Sequence, residues 1–286
     1  MTFEEKIAAA FGEQGERWLE KLPQLIRKVE CEHGLHSIQP FSNLSYNYVA
    51  RAIKEGQEVV VKIGLPGYDF TNQVRALEAF DQTIIAALLV SNVEEGYYIM
   101  ESISPGTTLN AQLPDTRTNV RFFVEQWRRL HNIVPSETIE ITLPSIDTWF
   151  RALDAEISEV PKSWLVEAKL ASSRLKELQQ DTNLHGDLHH ENILWDDTRG
   201  FVIIDPKGVV GHAYYDCVQF LFNKNRSVEE FAQKVTWLIE EHGFEQTKLL
   251  DAIKALGMVY LVWAIEDKVP EARERYEMMK WIMERE

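Results

Sequence analysis

Apolar positions change their period several times along the chain, and each change marks a new element. Phe3, Ile7, Ala10 and Phe11 share one helical face, and Trp18, Leu22 and Leu25 continue at helical spacing. Gly12, Gly15 and Pro23 interrupt that pattern, so residues 2–30 are expected to form two short helices rather than one long one. From Ile38 the period changes. Residues 46–53 and 58–63 read as two strands joined by the turn Lys54-Glu55-Gly56-Gln57, a hairpin. A helical pattern covers 74–87, and short strands at 88–90 and 97–100 flank the turn Glu94-Glu95-Gly96. After Ser104-Pro105-Gly106 helices dominate, at 120–133, 146–157 and 163–178, then at 228–242, 247–265 and 270–286. A strand at 201–204 and a loop at 206–211 interrupt them. A strand-rich first third followed by a helix-rich remainder predicts an α+β protein in two lobes. Residues 1–103 are expected to hold the N-terminal helices and a small lobe, and 104–286 a larger helical lobe.

Composition narrows the partners. A formal net charge of −15 disfavours nucleic acid, which calls for a basic face. The same charge suits a cationic ligand and equally a solvated acidic surface. Cys31 and Cys217 are too few for a disulfide framework and read as free thiols in a reducing compartment. Residues 1–11 carry Glu4 and Glu5 and only a short apolar run, unlike a signal peptide. No stretch approaches the roughly 18 apolar residues of a membrane span. A cytoplasmic protein, monomer or homodimer, is expected.

The chemistry concentrates in His185-Gly186-Asp187-Leu188-His189-His190-Glu191-Asn192-Ile193-Leu194, with Asp205 closing the following strand. Asp, Asn and Asp in this order suit Mg²⁺-dependent phosphoryl transfer to a hydroxyl: Asp187 takes the acceptor's proton, and Asn192 and Asp205 hold magnesium on the nucleotide phosphates. Lys62, at the end of an apolar strand, is the candidate cation for the α/β-phosphates. The turn Ser42-Asn43-Leu44-Ser45 is the candidate phosphate cradle. It contains no glycine, so Ser42, Asn43 and Ser45 would act through side chains and backbone N–H groups. Adenine is placed by position against residues 100–103, with the backbones of Glu101 and Ile103 meeting the purine edge.

The decapeptide resembles the catalytic loop of the aminoglycoside phosphotransferases, within the protein-kinase-like superfamily. The segment Ile204-Asp205-Pro206-Lys207-Gly208-Val209-Val210-Gly211, with Tyr215-Asp216 after it, resembles the narrower streptomycin 6-kinase and hydroxyurea-kinase branch. The resemblance implies a two-lobed kinase-like fold, with ATP or GTP as phosphoryl donor and Mg²⁺ as cofactor. The implied acceptor is a hydroxyl of a cationic aminocyclitol antibiotic, conferring resistance. It implies that His185 braces the loop and that Asp216 supports it. Where the family pairs the strand lysine with an acid, this chain has Gln73 in one register and Glu78 in a shifted one. The family's substrate pocket lies between the catalytic loop and the C-terminal helices, which implicates His189, His190, Trp263, Glu266 and Asp267.

Three alternatives stay open at this stage. The acceptor can be a small metabolite such as a fructosamine, choline, methylthioribose or homoserine. The fold can be kept as a catalytically weak nucleotide-binding module. His185, Asp187 and His212 can also be read as a two-His-one-carboxylate iron site.

Overall fold

The computed structural model describes residues 2–132 and 142–285. It is two-lobed, with a small sheet-rich N-lobe and a larger helical C-lobe. The expected end of one helix at Ile133, and of the last at Glu286, lies outside the described residues.

The chain opens with α1 (Phe3–His33), capped by a reciprocal Thr2–Glu5 box and ended by Gly34 in the left-handed conformation. Gly12 is non-helical (φ 53°, ψ −139°), so α1 is two helical segments across a kink, as its interrupted periodicity suggests. Five antiparallel strands follow: β1 (Leu35–Pro40), β2 (Tyr48–Lys54) and β3 (Gln57–Ile63), then, after α2 (Tyr68–Ala79), β4 (Leu88–Asn92) and β5 (Tyr97–Glu101). Their spatial order is β1-β2-β3-β5-β4. Val59, Val61 and Ile63 join Ile7, Trp18, Leu22 and Val29 of α1 in one core. Val60, Tyr98 and Met100 join Phe70, Val74 and Leu77 of α2 in another. β3 is therefore buried on both faces, and its period of two puts Lys62 on the α2 side.

The helix expected at 74–87 is displaced. α2 begins after Gly67 and stops at Phe80. Asp81 turns the chain by accepting the Thr83 N–H at 2.7 Å. The apolar run Ile84-Ile85-Ala86, which looks helical in isolation, instead pairs with Ile203: Ile203 N donates to Ile84 O at 2.9 Å and Ala86 N to Ile203 O at 2.8 Å. This pairing ties the small lobe to the segment that carries Ile203.

The chain leaves β5 through residues 102–104 into β6 (Pro105–Thr108), α3 (Leu109–Gln112) and α4 (Thr116–His131). The helix expected at 146–157 is a 3₁₀ helix, Ile146–Asp154, and stops when Ala155 N closes an i→i+3 bond on Ala152 O. α5 (Lys162–Glu177), β7 (Asp181–Leu184), β8 (Ile193–Asp196), β9 (Gly200–Ile203) and β10 (Val209–His212) follow. β10 occupies part of the expected 206–211 loop and pairs with β7, while β6-β8-β9 form a third sheet. The C-lobe closes with α6 (Asp216–Phe222), α7 (Val228–Glu240), α8 (Gln246–Ala252), a π-helical turn over Ile253–Gly257, α9 (Met258–Glu266) and α10 (Ala272–Met283). At its centre Phe123 of α4 stacks on Phe220 of α6 with ring centroids 3.9 Å apart. No helix among the described residues is long and apolar enough to cross a membrane.

Candidate active site

The sheets bring the expected residues to one place. β7 ends at Leu184, paired with Val209, so the decapeptide starts beside the segment that follows Asp205. β8 and β9 pair Ile193 with Ile203, and Ile204 N donates to Asn192 O at 2.9 Å. Asn192 and Asp205 thus meet at the open end of one hairpin. Asp205 has φ 59°, the left-handed region that aspartate tolerates better than bulkier residues.

Asp216 holds the loop. Its carboxylate is buried and accepts the His185 N–H and the Gly186 N–H, each at 2.8 Å, with His131 Nε2 at 3.1 Å. His185 lies beneath the loop. Its Nε2 donates to Ile204 O at 2.8 Å, and its Nδ1 accepts the Asp187 N–H at 3.1 Å. That pairing requires a neutral ring, and burial lowers its pKa in the same direction. Both ring nitrogens are therefore committed. His212 sits at the far end of β10, opposite Asp181. The iron-site alternative fails on both counts, and among the described residues no group of three or more His, Cys, Asp or Glu could hold a metal.

Asp187 stands at the loop tip with its side chain 22% exposed. Its backbone does the structural bonding, since its N–H meets His185 and its carbonyl accepts from Asn192 Nδ2 at 2.9 Å. Its Oδ1 is 3.5 Å from His189 Nε2, and its Oδ2 is 3.9 Å from Lys207 Nζ. His189 also lies 2.9 Å from Glu191 Oε2. Burial would raise the Glu191 pKa, but His189 and Lys224 more than offset it and bring it down to about 2.

Lys62 is 4% exposed and forms an ion pair with Asp205 from across the lobes, with its ammonium 5.7 Å from the centre of the Tyr98 ring. Burial would raise the Asp205 pKa, but Lys62 and then Lys207 hold it well below the ordinary carboxylate range. Gln73 is buried on α2, and its Oε1 has no hydrogen-bond partner. Glu78 is exposed, so the shifted register does not serve the buried Lys62. Lys62 takes Asp205 as its counter-charge instead. The turn with Ser42, Asn43 and Ser45 joins β1 to β2 at the sheet end that holds Lys62, since Val49 pairs with Lys62. All three side chains are exposed. Glu101 is anchored by its side chain, which accepts the Ala87 N–H at 2.7 Å and pairs with Arg199 at 2.9 Å; Ile103 beyond it is buried.

One substrate assignment needs correction. His190 is 2% exposed, stacks on Phe220 at 4.4 Å and bonds Asn223 Oδ1 at 2.8 Å, so it packs into the core. Glu266 and Asp267 are exposed at the end of α9. Trp263, by contrast, belongs to an aromatic wall: its ring centre is 5.8 Å from Trp149 and 5.9 Å from Tyr260. Trp149 reaches the loop itself, 3.1 Å from where a Cβ on Gly186 would stand. Trp149 and Lys207 are the residues that pattern reading missed. Lys207 stood in the quoted Asp-Pro-Lys-Gly segment without a role, and Trp149 had no local signal.

His190 gives the protein an acid sensitivity. Burial and then Lys234 push its pKa from 6.5 to about 3. The unfolded chain takes up a proton below 6.5 and the folded one does not, so this stability is present above pH 6.5 and is lost as pH falls toward 3. Between pH 7 and 5 His190 should account for a loss of about 2 kcal/mol. Urea unfolding of wild type and His190→Gln at both pH values checks this. An equally steep loss in the variant would contradict it.

The family described as aminoglycoside/hydroxyurea antibiotic resistance kinase matches residues 33–268. Streptomycin 3''-kinase of Klebsiella pneumoniae is 28% identical over 156 residues, covering 51% of this chain and 58% of that protein. Streptomycin 6-kinase of Streptomyces glaucescens is 22% identical over 274 residues, covering 91% and 88%. In three dimensions the chain is similar to choline kinase LicA from Streptococcus pneumoniae, with a TM-score of 0.66 at 14% identity, covering 93% of this chain and 98% of that one.

Proposed function

The chain belongs to the aminoglycoside/hydroxyurea antibiotic resistance kinase family, a family of phosphotransferases, and from that premise we propose that it transfers the γ-phosphoryl group of ATP to a hydroxyl of a small cationic molecule. The observation that carries this reading is the Lys62–Asp205 ion pair, which joins the N-lobe sheet to the catalytic hairpin beside Asp187 and Asn192. Lys62 sits where a phosphate chain lying between the lobes would meet it.

Asn192 and Asp205 suit Mg²⁺. Asn192 spends its Nδ2 on Asp187 O, which leaves its amide oxygen as a metal ligand, and Asp205 pairs with Lys62 through Oδ1, which leaves Oδ2. Two hard oxygen ligands, completed by phosphate oxygens and water, are what Mg²⁺ takes. When bound, the ion neutralises charge on the phosphate oxygens. Asp187 orients the acceptor hydroxyl and receives its proton, while His185 and Asp216 hold the loop still. Asp205 and Lys62 would exchange their mutual contact for ion and nucleotide. Backbone groups of Glu101 and Ile103 would meet the base, with Ser42, Asn43 and Ser45 at the phosphates.

For the acceptor, the wall of Trp149, Tyr260 and Trp263 beside the acidic loop supports a cation bound over aromatic faces. A metabolite-sized amino or quaternary-ammonium alcohol fits this directly. A streptomycin-like aminocyclitol is the second reading, favoured by the Asp205-Pro206-Lys207-Gly208 segment and the family match. A panel of choline, homoserine, a fructosamine, methylthioribose and streptomycin, coupled to ADP release, separates the two. Acceptor-dependent ADP release is expected with a cationic alcohol. Release with a neutral acceptor alone would contradict the reading. Trp149→Ala should raise the acceptor KM about tenfold with kcat nearly unchanged, the signature of lost ground-state binding.

A further inference from the structure

We propose that Lys207 is a catalytic residue whose ammonium meets the transferring phosphoryl group between Asp187 and Asp205. This rests on the phosphotransferase reading above.

The backbone of Lys207 is fixed more firmly than its side chain. Its N–H donates to His185 O at 2.7 Å, and the Gly208 N–H reaches the same oxygen at 3.3 Å. Gly208, at φ +72°, is wedged under α2, and a Cβ there would stand 2.7 Å from both Asn72 O and Ala76 Cβ. On the other side, a Cβ on Gly186 would stand 3.2 Å from Lys207 Cβ. The Cα of Lys207 is thus clamped between the catalytic loop and the small lobe.

The side chain is 41% exposed, and its one ion contact among the described residues is the long one, 3.9 Å to Asp187 Oδ2. Its charge also acts on the Asp205 carboxylate. A lysine on a pinned backbone, close to both acids and tightly bound to neither, is free to swing toward a third anion. Lys62, by contrast, is 4% exposed and paired with Asp205, and in the reading above it serves the α/β-phosphates.

The reaction puts such an anion there. The acceptor oxygen forms a bond to the γ-phosphorus as the bond from that phosphorus to the β,γ-bridging oxygen breaks. The electron pair of the broken bond leaves with ADP, and the acceptor's proton passes to Asp187. Negative charge spreads over the three equatorial oxygens in transit, with carboxylates nearby that would repel it. The Lys207 side chain offsets that charge where it is greatest. Binding of ground-state ATP makes less use of it, because Lys62 serves the α/β-phosphates.

Lys207→Met and Lys207→Arg test the assignment against a role that only steadies Asp187. Binding of Mg·ADP is measured by calorimetry with and without aluminium fluoride, which mimics the phosphoryl group in flight. Wild type should bind ADP more tightly when the fluoride is present. Lys207→Met should bind ADP alone like wild type, lose that gain, and fall about 10²- to 10³-fold in kcat with little change in the ATP KM. Lys207→Arg should recover part of both. A Lys207→Met variant that keeps the full fluoride-dependent gain overturns the proposal while leaving the phosphotransferase reading intact. A wild-type protein that shows no gain, and transfers phosphoryl to no acceptor, overturns both.

Discussion

Asp187→Asn is expected to lower kcat by about 10²- to 10⁴-fold, the range a positioned general base contributes, while leaving Mg·ADP affinity within about threefold. The selectivity of that loss follows from how Asp187 is built in. Its N–H donates to His185 Nδ1 and its carbonyl accepts from Asn192, so the backbone carries the loop. Among the described residues the nearest polar approach to the carboxylate is His189 Nε2 at 3.5 Å. Asparagine keeps the shape and removes the one thing the side chain supplies, a carboxylate that accepts a proton late in a loose transition state. Stopped turnover with intact ADP binding, by coupled assay and calorimetry, is the expected pair of results. Unchanged turnover would remove Asp187 from the chemistry. Lost ADP binding would mean that it serves the nucleotide instead.

Asp216→Ala should cost more in stability than any substitution of a reacting group. Its carboxylate is 2% exposed and satisfies two backbone N–H groups and His131 at once. Removing it strands three buried donors, a loss of about 3–5 kcal/mol. For a chain of this size that is a fall in Tm of about 10 °C. Asp216→Asn should fall between, because one amide oxygen replaces one of two acceptors and the new amide N–H faces a backbone N–H. Activity should drop in both variants, since Gly186, whose N–H Asp216 holds, immediately precedes Asp187. Thermal unfolding checks the order wild type, Asn, Ala. Equal Tm values would mean that the loop holds itself without Asp216.

The parts of this site that were legible in the sequence are those whose chemistry is local. Asp187, Asn192 and Asp205 lie on one hairpin and its approach, so their spacing already implies their meeting. Lys62 was legible as a polar residue in an apolar strand, although its partner Asp205 lies far along the chain. Contacts between distant segments left no local trace. Trp149 lies on a 3₁₀ stretch and becomes part of a wall only when α9 brings Trp263 against it. The polar tetrapeptide Asp181–Leu184 has no alternation to mark it, yet it is β7, because β10 offers it a partner. Ile84-Ile85-Ala86 continues the helical spacing read over 74–87, but its backbone groups find Ile203. His189 and His190 are adjacent and chemically identical. One faces Asp187 and the other stacks on Phe220, a difference set by the 3₁₀ turn over His190–Asn192. Gln73 stands on α2 with its amide oxygen unpartnered among the described residues, and as a neutral group it leaves Asp205 as the counter-charge of Lys62.

In the proposed reaction the γ-phosphoryl group of ATP ends on a hydroxyl of a small cationic molecule. ³¹P NMR of the protein with Mg·ATP and each acceptor of the panel tests it most directly. A phosphomonoester resonance should grow in equal proportion to ADP with at least one cationic alcohol, and it should be absent with Asp187→Asn. ATP that is left intact with every acceptor, or that yields only ADP and inorganic phosphate, would contradict it.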